Sequence, residues 1–221
     1  MEKKYFNINY ELDNKITGKG YPQVNCLNLN DIGKFSSWEL NKEKTVLKFE
    51  LNKKSKLTDV LSVLEINTGF LISAKVKKIF NDFKLMRHQY FDATIETGEG
   101  IFDYYWLHLT EPDLVKKIDY KKSIFYETEY TFKKKIIFLD NYEQYQKLKS
   151  KDEEASFGVT AEHIFFSSSF DKTIDLFTFL PFNNDIYISE RLKNALVENN
   201  IYSFNIKQSN VISEPDRSDM C

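Results

Sequence analysis

Apolar and polar residues alternate over residues 5–12 (YFNINYEL), the period of two that marks a half-buried strand. The same alternation returns at residues 45–51 (TVLKFEL). Between them, residues 13–30 hold Gly18, Gly20 and Pro22 and predict mostly loop. Residues 59–66 (DVLSVLEI) form an apolar run whose type the pattern leaves open. The period then changes. Phe70, Leu71 and Ile72 end a strand, Ser73 follows, and Val76, Ile79, Phe80 and Phe83 recur at helical spacing with lysines on the other faces. Residues 88–96 (HQYFDATIE) return to strand.

This succession occurs twice. Ile186, Tyr187 and Ile188 end a second strand, and Ser189 follows 116 residues after Ser73. Leu192, Ala195 and Leu196 then make an apolar stripe, and residues 201–206 (IYSFNI) read as strand. Leu85 and Ile201 keep the same offset, so the register survives the helix. Ser73 and Ser189 are both placed to cap a helix, since a serine oxygen accepts an amide hydrogen that the first turn leaves unbonded. Two matched strand–helix–strand units predict a duplicated supersecondary element, over about residues 66–96 and 182–207.

The middle is rich in strand pattern. In residues 102–109 (FDYYWLHL) both faces are largely apolar or aromatic, which predicts a central strand covered on both sides. Residues 123–130 and 134–140 continue as strands, and residues 141–155 form a helix candidate with Tyr142, Tyr145 and Leu148 on one side. Two short strands, EHIFFS and DLFTFL, lead to the second unit. No stretch has linker composition. The expectation is one α+β domain, β-rich, over residues 1–208, with a polar flexible tail at 209–221.

Composition narrows the function classes. Of 221 residues, 42% are apolar and 29% charged, with 31 basic and 33 acidic side chains. A nucleic-acid binder shows a basic excess and a nucleic-acid mimic an acidic one, so overall charge points to neither. Seven glycines and four prolines speak against both disorder and a glycine-rich nucleotide loop. The start of the chain has no apolar core of signal-peptide length, and no stretch reaches membrane-spanning length. Two cysteines, Cys26 and Cys221, give no disulfide framework. The reading is a reduced, cytoplasmic protein with no membrane or nucleic-acid partner.

Candidate chemistry is sparse. His88, His108 and His163 stand far apart and lack metal-ligand spacing, so no metal or cofactor is expected. HLT at residues 108–110 matches one half of a paired His-x-Thr signature, whose chemistry needs a second histidine as the partner acid or base. A phosphoesterase-like enzyme centred on His108 is therefore an alternative. TGEGIF at residues 97–102 reads as a hairpin turn. FKKKII and VKKIDYKK interleave lysines with apolar residues and read as solvated edges, with nucleic acid as the competing reading.

The stretches GFLISAKVKKIFNDF and LFTFLPFNNDIYISERLKNALVENNI resemble the recurring pattern of a family of bacterial immunity proteins, the eleventh in the usual grouping. In that pattern a hydrophobic strand runs into an I/V-S-x-K/R-hydrophobic-K helix start. The middle, YYWLHLTEPDLVKKIDYKKSIF, is similar too, with an aspartate (Asp119) and a serine (Ser123) before the next strand. Where the family has a glycine after the second helix, this chain has two asparagines, and Asn199 or Asn200 can take the left-handed position. The resemblance covers roughly residues 63–206. It implies a non-enzymatic protein that binds a cognate toxin in the producing cell and occludes it. It assigns no toxin-binding residues. An interaction module with no toxin partner is the further alternative.

Overall fold

The structure is a computed structural model and describes residues 4–28, 40, 45–64, 68–110, 113–130, 132–151 and 156–213. It is a β-rich α+β fold of three sheets. The elements in chain order are β1 (Tyr5–Tyr10), α1 (Asn14–Thr17), β2 (Val24–Cys26), β3 (Leu47–Leu51), β4 (Val60–Leu61), β5 (Gly69–Ser73), α2 (Ala74–Asn81), β6 (His88–Thr97) and β7 (Gly100–Leu109). A 3-10 turn, Leu114–Lys117, leads to β8 (Ile124–Glu129), β9 (Phe132–Ile137), α3 (Tyr142–Lys149), β10 (Phe157–Phe165), β11 (Leu176–Phe179), β12 (Asn183–Ser189), α4 (Glu190–Glu198), β13 (Phe204–Gln208) and β14 (Ile212–Ser213).

The first sheet has the order β2-β3-β6-β7-β5-β4, the second β11-β12-β1-β13 and the third β14-β10-β8-β9. Both repeated segments form strand–helix–strand units of one kind. β5 and β6 each run antiparallel to β7, so they are parallel to each other with β7 inserted between them. β12 and β13 flank β1 in the same way. These are split βαβ units. The correspondence holds residue by residue. Ile72 faces Tyr105 and Asp92 faces Tyr105, while Ile188 faces Phe6 and Gln208 faces Phe6. The strand that completes the first unit follows it in a hairpin. The strand that completes the second is the first of the chain.

The two helix starts explain why the serines sit where they do. The Val76 amide donates to Ser73 Oγ at 3.4 Å, and the Leu192 amide to Ser189 Oγ at 3.2 Å. Each serine hydroxyl in turn donates to an aspartate 14 residues earlier, Ser73 to Asp59 and Ser189 to Asp175, both at 2.7 Å. The backbones pair as well, Ser73 N–H to Asp59 carbonyl and Ser189 N–H to Asp175 carbonyl. A cation follows at the same place in each copy. Lys75 lies 3.9 Å from Asp59 and Arg191 pairs with Asp175. Two residues on, Lys77 sits over the Tyr105 ring at 3.5 Å and Lys193 over Phe6 at 4.4 Å. The repeat thus begins at Asp59 and Asp175, earlier than residues 66 and 182.

The units also hold each other reciprocally. The Met86 amide, after α2, donates to the Leu176 carbonyl at the start of β11. The Val60 amide, at the start of β4, donates to Ser203 Oγ after α4. Phe204 of β13 packs against Phe70 of the first sheet, ring centroids 5.0 Å apart. One core runs from the inner face of the first sheet (Phe70, Ile72, Leu107) through both helices to Phe125 and Ile164 of the third sheet. A second cluster, with Leu71, Phe91 and Trp106, occupies the other face of the first sheet. β7 thus lies inside its sheet with apolar side chains on both faces.

Several boundaries differ from the expectation. Residues 13–30 contain a turn of helix and a strand, because β2 adds to the edge of β3. α3 is shorter than 141–155, its start capped by Asn141 through the Gln144 amide at 2.9 Å; residues 152–155 lie outside the described residues. Asn200 takes the left-handed conformation after α4, φ 57°. The flexible tail placed at 209–221 is corrected over 209–213. The Ser209 amide donates to the Tyr5 carbonyl, and Ile212 is buried in a parallel pairing with β10. Apolar Val211 and Ile212 anchor that stretch; 214–221 and Cys221 lie outside the described residues.

Candidate partner-docking face

The histidines do not come together. His108 is 1% exposed, its Nδ1 3.2 Å from Thr68 Oγ1 and its ring 4.7 Å from that of Trp106. On the neighbouring strand Gln89 faces His108, while His88 faces Leu109. Successive residues of a strand point to opposite faces, so His88 and His108 lie on opposite sides of the sheet. His88 Nδ1 is 2.8 Å from the Met86 carbonyl. His163 is in the third sheet, its Nε2 2.8 Å from Ser213 Oγ. The geometry that a two-histidine reaction needs is not assembled around His108. Ser73 and Ser189 are both engaged in the helix starts. Among the described residues no group of three or more His, Cys, Asp or Glu could hold a metal ion.

Asp175 is the more enclosed of the two aspartates that hold the helix starts, 3% exposed. Burial, the largest single influence, raises its pKa. Hydrogen bonds from Arg191, Ser189 and the Lys84 amide outweigh that, and the net direction is down. This is a structural carboxylate, saturated by donors. The Asp119–Ser123 pair is structural as well. Ser123 Oγ donates to the Asp119 carbonyl at 2.7 Å and accepts the Phe165 amide at 3.0 Å, joining the approach to β8 to β10.

Two open surfaces stand out among the described residues. One is a cleft of about 720 Å³ between the 52–57 turn and the β6–β7 hairpin, lined by Glu50, Glu96, Glu99, Lys53, Lys56 and Phe102. Its charges are of mixed sign and converge on no reacting position. The other is the outer face and edge of the third sheet. Phe125 and Ile137 face each other on the core side, so alternation turns Ile124, Tyr126 and Ile136 outward. Tyr126 lies directly opposite Ile136. Ile136 is 52% exposed, Phe132 71% and Phe138, just past the strand, 89%. Ile124 and Tyr130 are exposed beside them. On β10 His163 faces Ile124, and its ring lies 4.7 Å from Phe165, which extends the apolar strip across three strands. Single exposed apolar residues are ordinary; several gathered on one small sheet mark an interaction surface.

The lysines of FKKKII are engaged along this edge. Lys133 pairs with Glu162, Lys134 with Glu129 and Lys135 with Glu127. Lys133 Nζ also lies 4.8 Å from the Tyr126 ring centroid. Each of the three ammonium groups thus has a carboxylate partner within its own sheet. The sequence pattern located β8 and β9 but not their exposure. The only local cue was an apolar pair, Ile136 and Phe138, on the face that carries Lys134 in an unbroken alternation; the register slips between Tyr126 and Thr128 and breaks that count. Compared with known proteins, the chain matches no family model, and none of the curated proteins matches it either.

Proposed function

We propose that this chain is an immunity protein, which neutralises a cognate toxin in the producing cell by binding it through the outer face of the third sheet. The observation that carries the proposal is the set of exposed apolar side chains on this sheet, with Ile124, Ile136 and Phe138 towards the outer face and Tyr130 and Phe132 at the end of the β8–β9 hairpin. Aromatic and aliphatic anchors of this kind, surrounded by polar residues, supply most of the energy of a protein interface. The resemblance of the two strand–serine–helix units to the immunity family supplies the class of partner. Binding by occlusion needs no reacting groups in the protector, only about 800 Å² of complementary surface per partner.

The test is co-expression with the toxin encoded beside the gene, together with a binding titration of the purified proteins. The expected result is protection of the cell and a one-to-one complex. Protection without any complex, in well-folded protein, would overturn the proposal.

A further inference from the structure

We infer that the second sheet holds a binding site for a neutral sugar, independent of the docking face on the third sheet. Lys193 of α4 lies over Phe6, so the helix covers the Phe6 face of β1. Successive side chains of a strand alternate, which puts Asn7 and Asn9 on the opposite face. There β13 sets Lys207 opposite Asn7 and Asn205 opposite Asn9. From β12, Asp185 Oδ2 accepts a hydrogen bond from Asn7 Nδ2 at 3.0 Å. These five side chains, with Tyr21 from the loop before β2, line a cavity of about 300 Å³. Small-molecule sites run from about 300 to 1,000 Å³, so this one has room for a ligand of a ring or two.

The polar groups in the cavity have bonding capacity to spare. Asn7 gives its nitrogen to Asp185, but its buried Oδ1 has no hydrogen-bond partner among the described residues. A buried acceptor left in that state is exceptional, and a hydroxyl brought into the cavity supplies the missing donor. The side chains of Asn205 and Lys207 make no hydrogen bond or ion pair among the described residues. Asn9 Oδ1 takes the Tyr10 amide at 2.8 Å, which leaves its two N–H donors. An amide presents a donor and an acceptor side by side, and a hydroxyl is both donor and acceptor. Three amides on adjacent strands therefore suit neighbouring hydroxyls on one ring. One carboxylate and one ammonium offset each other, so an ion gains from one and loses to the other. An amino-acid zwitterion matches those two charges but leaves the three amides without partners. Tyr21, 61% exposed, supplies an apolar wall for the C–H face of the ring.

The test is a heteronuclear NMR titration of the full chain with glucose, galactose, mannose and N-acetylglucosamine, and with glycine and acetate as charged controls. At least one sugar should bind in the millimolar range and shift the amide signals of residues 7, 9, 205 and 207. Asn205→Ala and Tyr21→Ala should each weaken it at least tenfold at unchanged melting temperature. A linear trisaccharide of the best binder separates the two sources of such a ligand. Binding at least tenfold tighter assigns the site to a glycan chain and equal binding to the free sugar, and both support the inference. No binding by any of the four sugars, shifts confined to other residues, or glycine binding as tightly as the best sugar would overturn it. So would sugar binding that Asn205→Ala leaves unchanged.

Discussion

Asp59 and Asp175 do the same work in two places. Each holds the serine that starts a helix, and each is followed by a cation two residues beyond that serine. They differ in burial, and the difference sets their weight. Asp175 also accepts the Lys84 amide at 3.0 Å, so its loss strands two neutral donors in a closed setting as well as Arg191. Asp175→Ala should cost about 2 kcal/mol in urea unfolding. Asp59→Ala, at a more open carboxylate, should cost about 1 kcal/mol. Ser73→Ala and Ser189→Ala should each cost about 1 kcal/mol and leave partner binding unchanged. The pKa of Asp175 is lower in the folded than in the unfolded chain. Its contribution is therefore complete above the unfolded carboxylate pKa of about 4 and is lost as pH falls through the lower folded value. Unfolding measured from pH 7 down to pH 2 should show a smaller acid-induced loss for Asp175→Asn than for the parent. An equal loss would mean that the proton uptake occurs elsewhere.

The elements show how much was open to reading. α2 and α4 were legible because the apolar period changes from two to 3.6 at a serine, a local signal. The aspartates were equally visible but sit 14 residues upstream, across a hairpin, where no periodicity links them to the helix. β1 was legible as a strand, whereas its place was not. It enters the second sheet between β12 and β13, a pairing across nearly the whole chain that no local pattern encodes. His108 shows the reverse. A His-x-Thr match suggested chemistry, and the two apolar faces of its strand already implied burial. The exposure of the third sheet stayed hidden because alternation tells which residues share a face and not which face meets solvent. Because β1 is bonded on both sides, Ile8→Pro removes ladder bonds from a central strand and should unfold the second unit, seen as loss of cooperative melting. At the matched helix positions Phe80→Ala should cost about 4 and Leu196→Ala about 3 kcal/mol.

At the scale of the molecule, two split βαβ units grip each other across a common core, and the third sheet packs against that core through Phe125 and Ile164. The buried and saturated groups belong to this scaffold. One group of exposed apolar side chains, Ile124, Tyr130, Phe132, Ile136 and Phe138, belongs to the third sheet, whereas Asp59 and Asp175 hold the helix starts of the other two, so the proposed docking surface is separable from what holds the fold. Surface substitutions there should change stability by less than about 0.5 kcal/mol while removing anchors that each contribute about 2 kcal/mol or more to binding. The most direct measurement is calorimetric titration of the toxin encoded beside the gene with the parent chain and with the double variant Ile136→Asp, Phe138→Asp. The account predicts a tight one-to-one complex for the parent and at least a 30-fold weaker one for the variant, at equal melting temperature. A variant that binds and protects as well as the parent would contradict it.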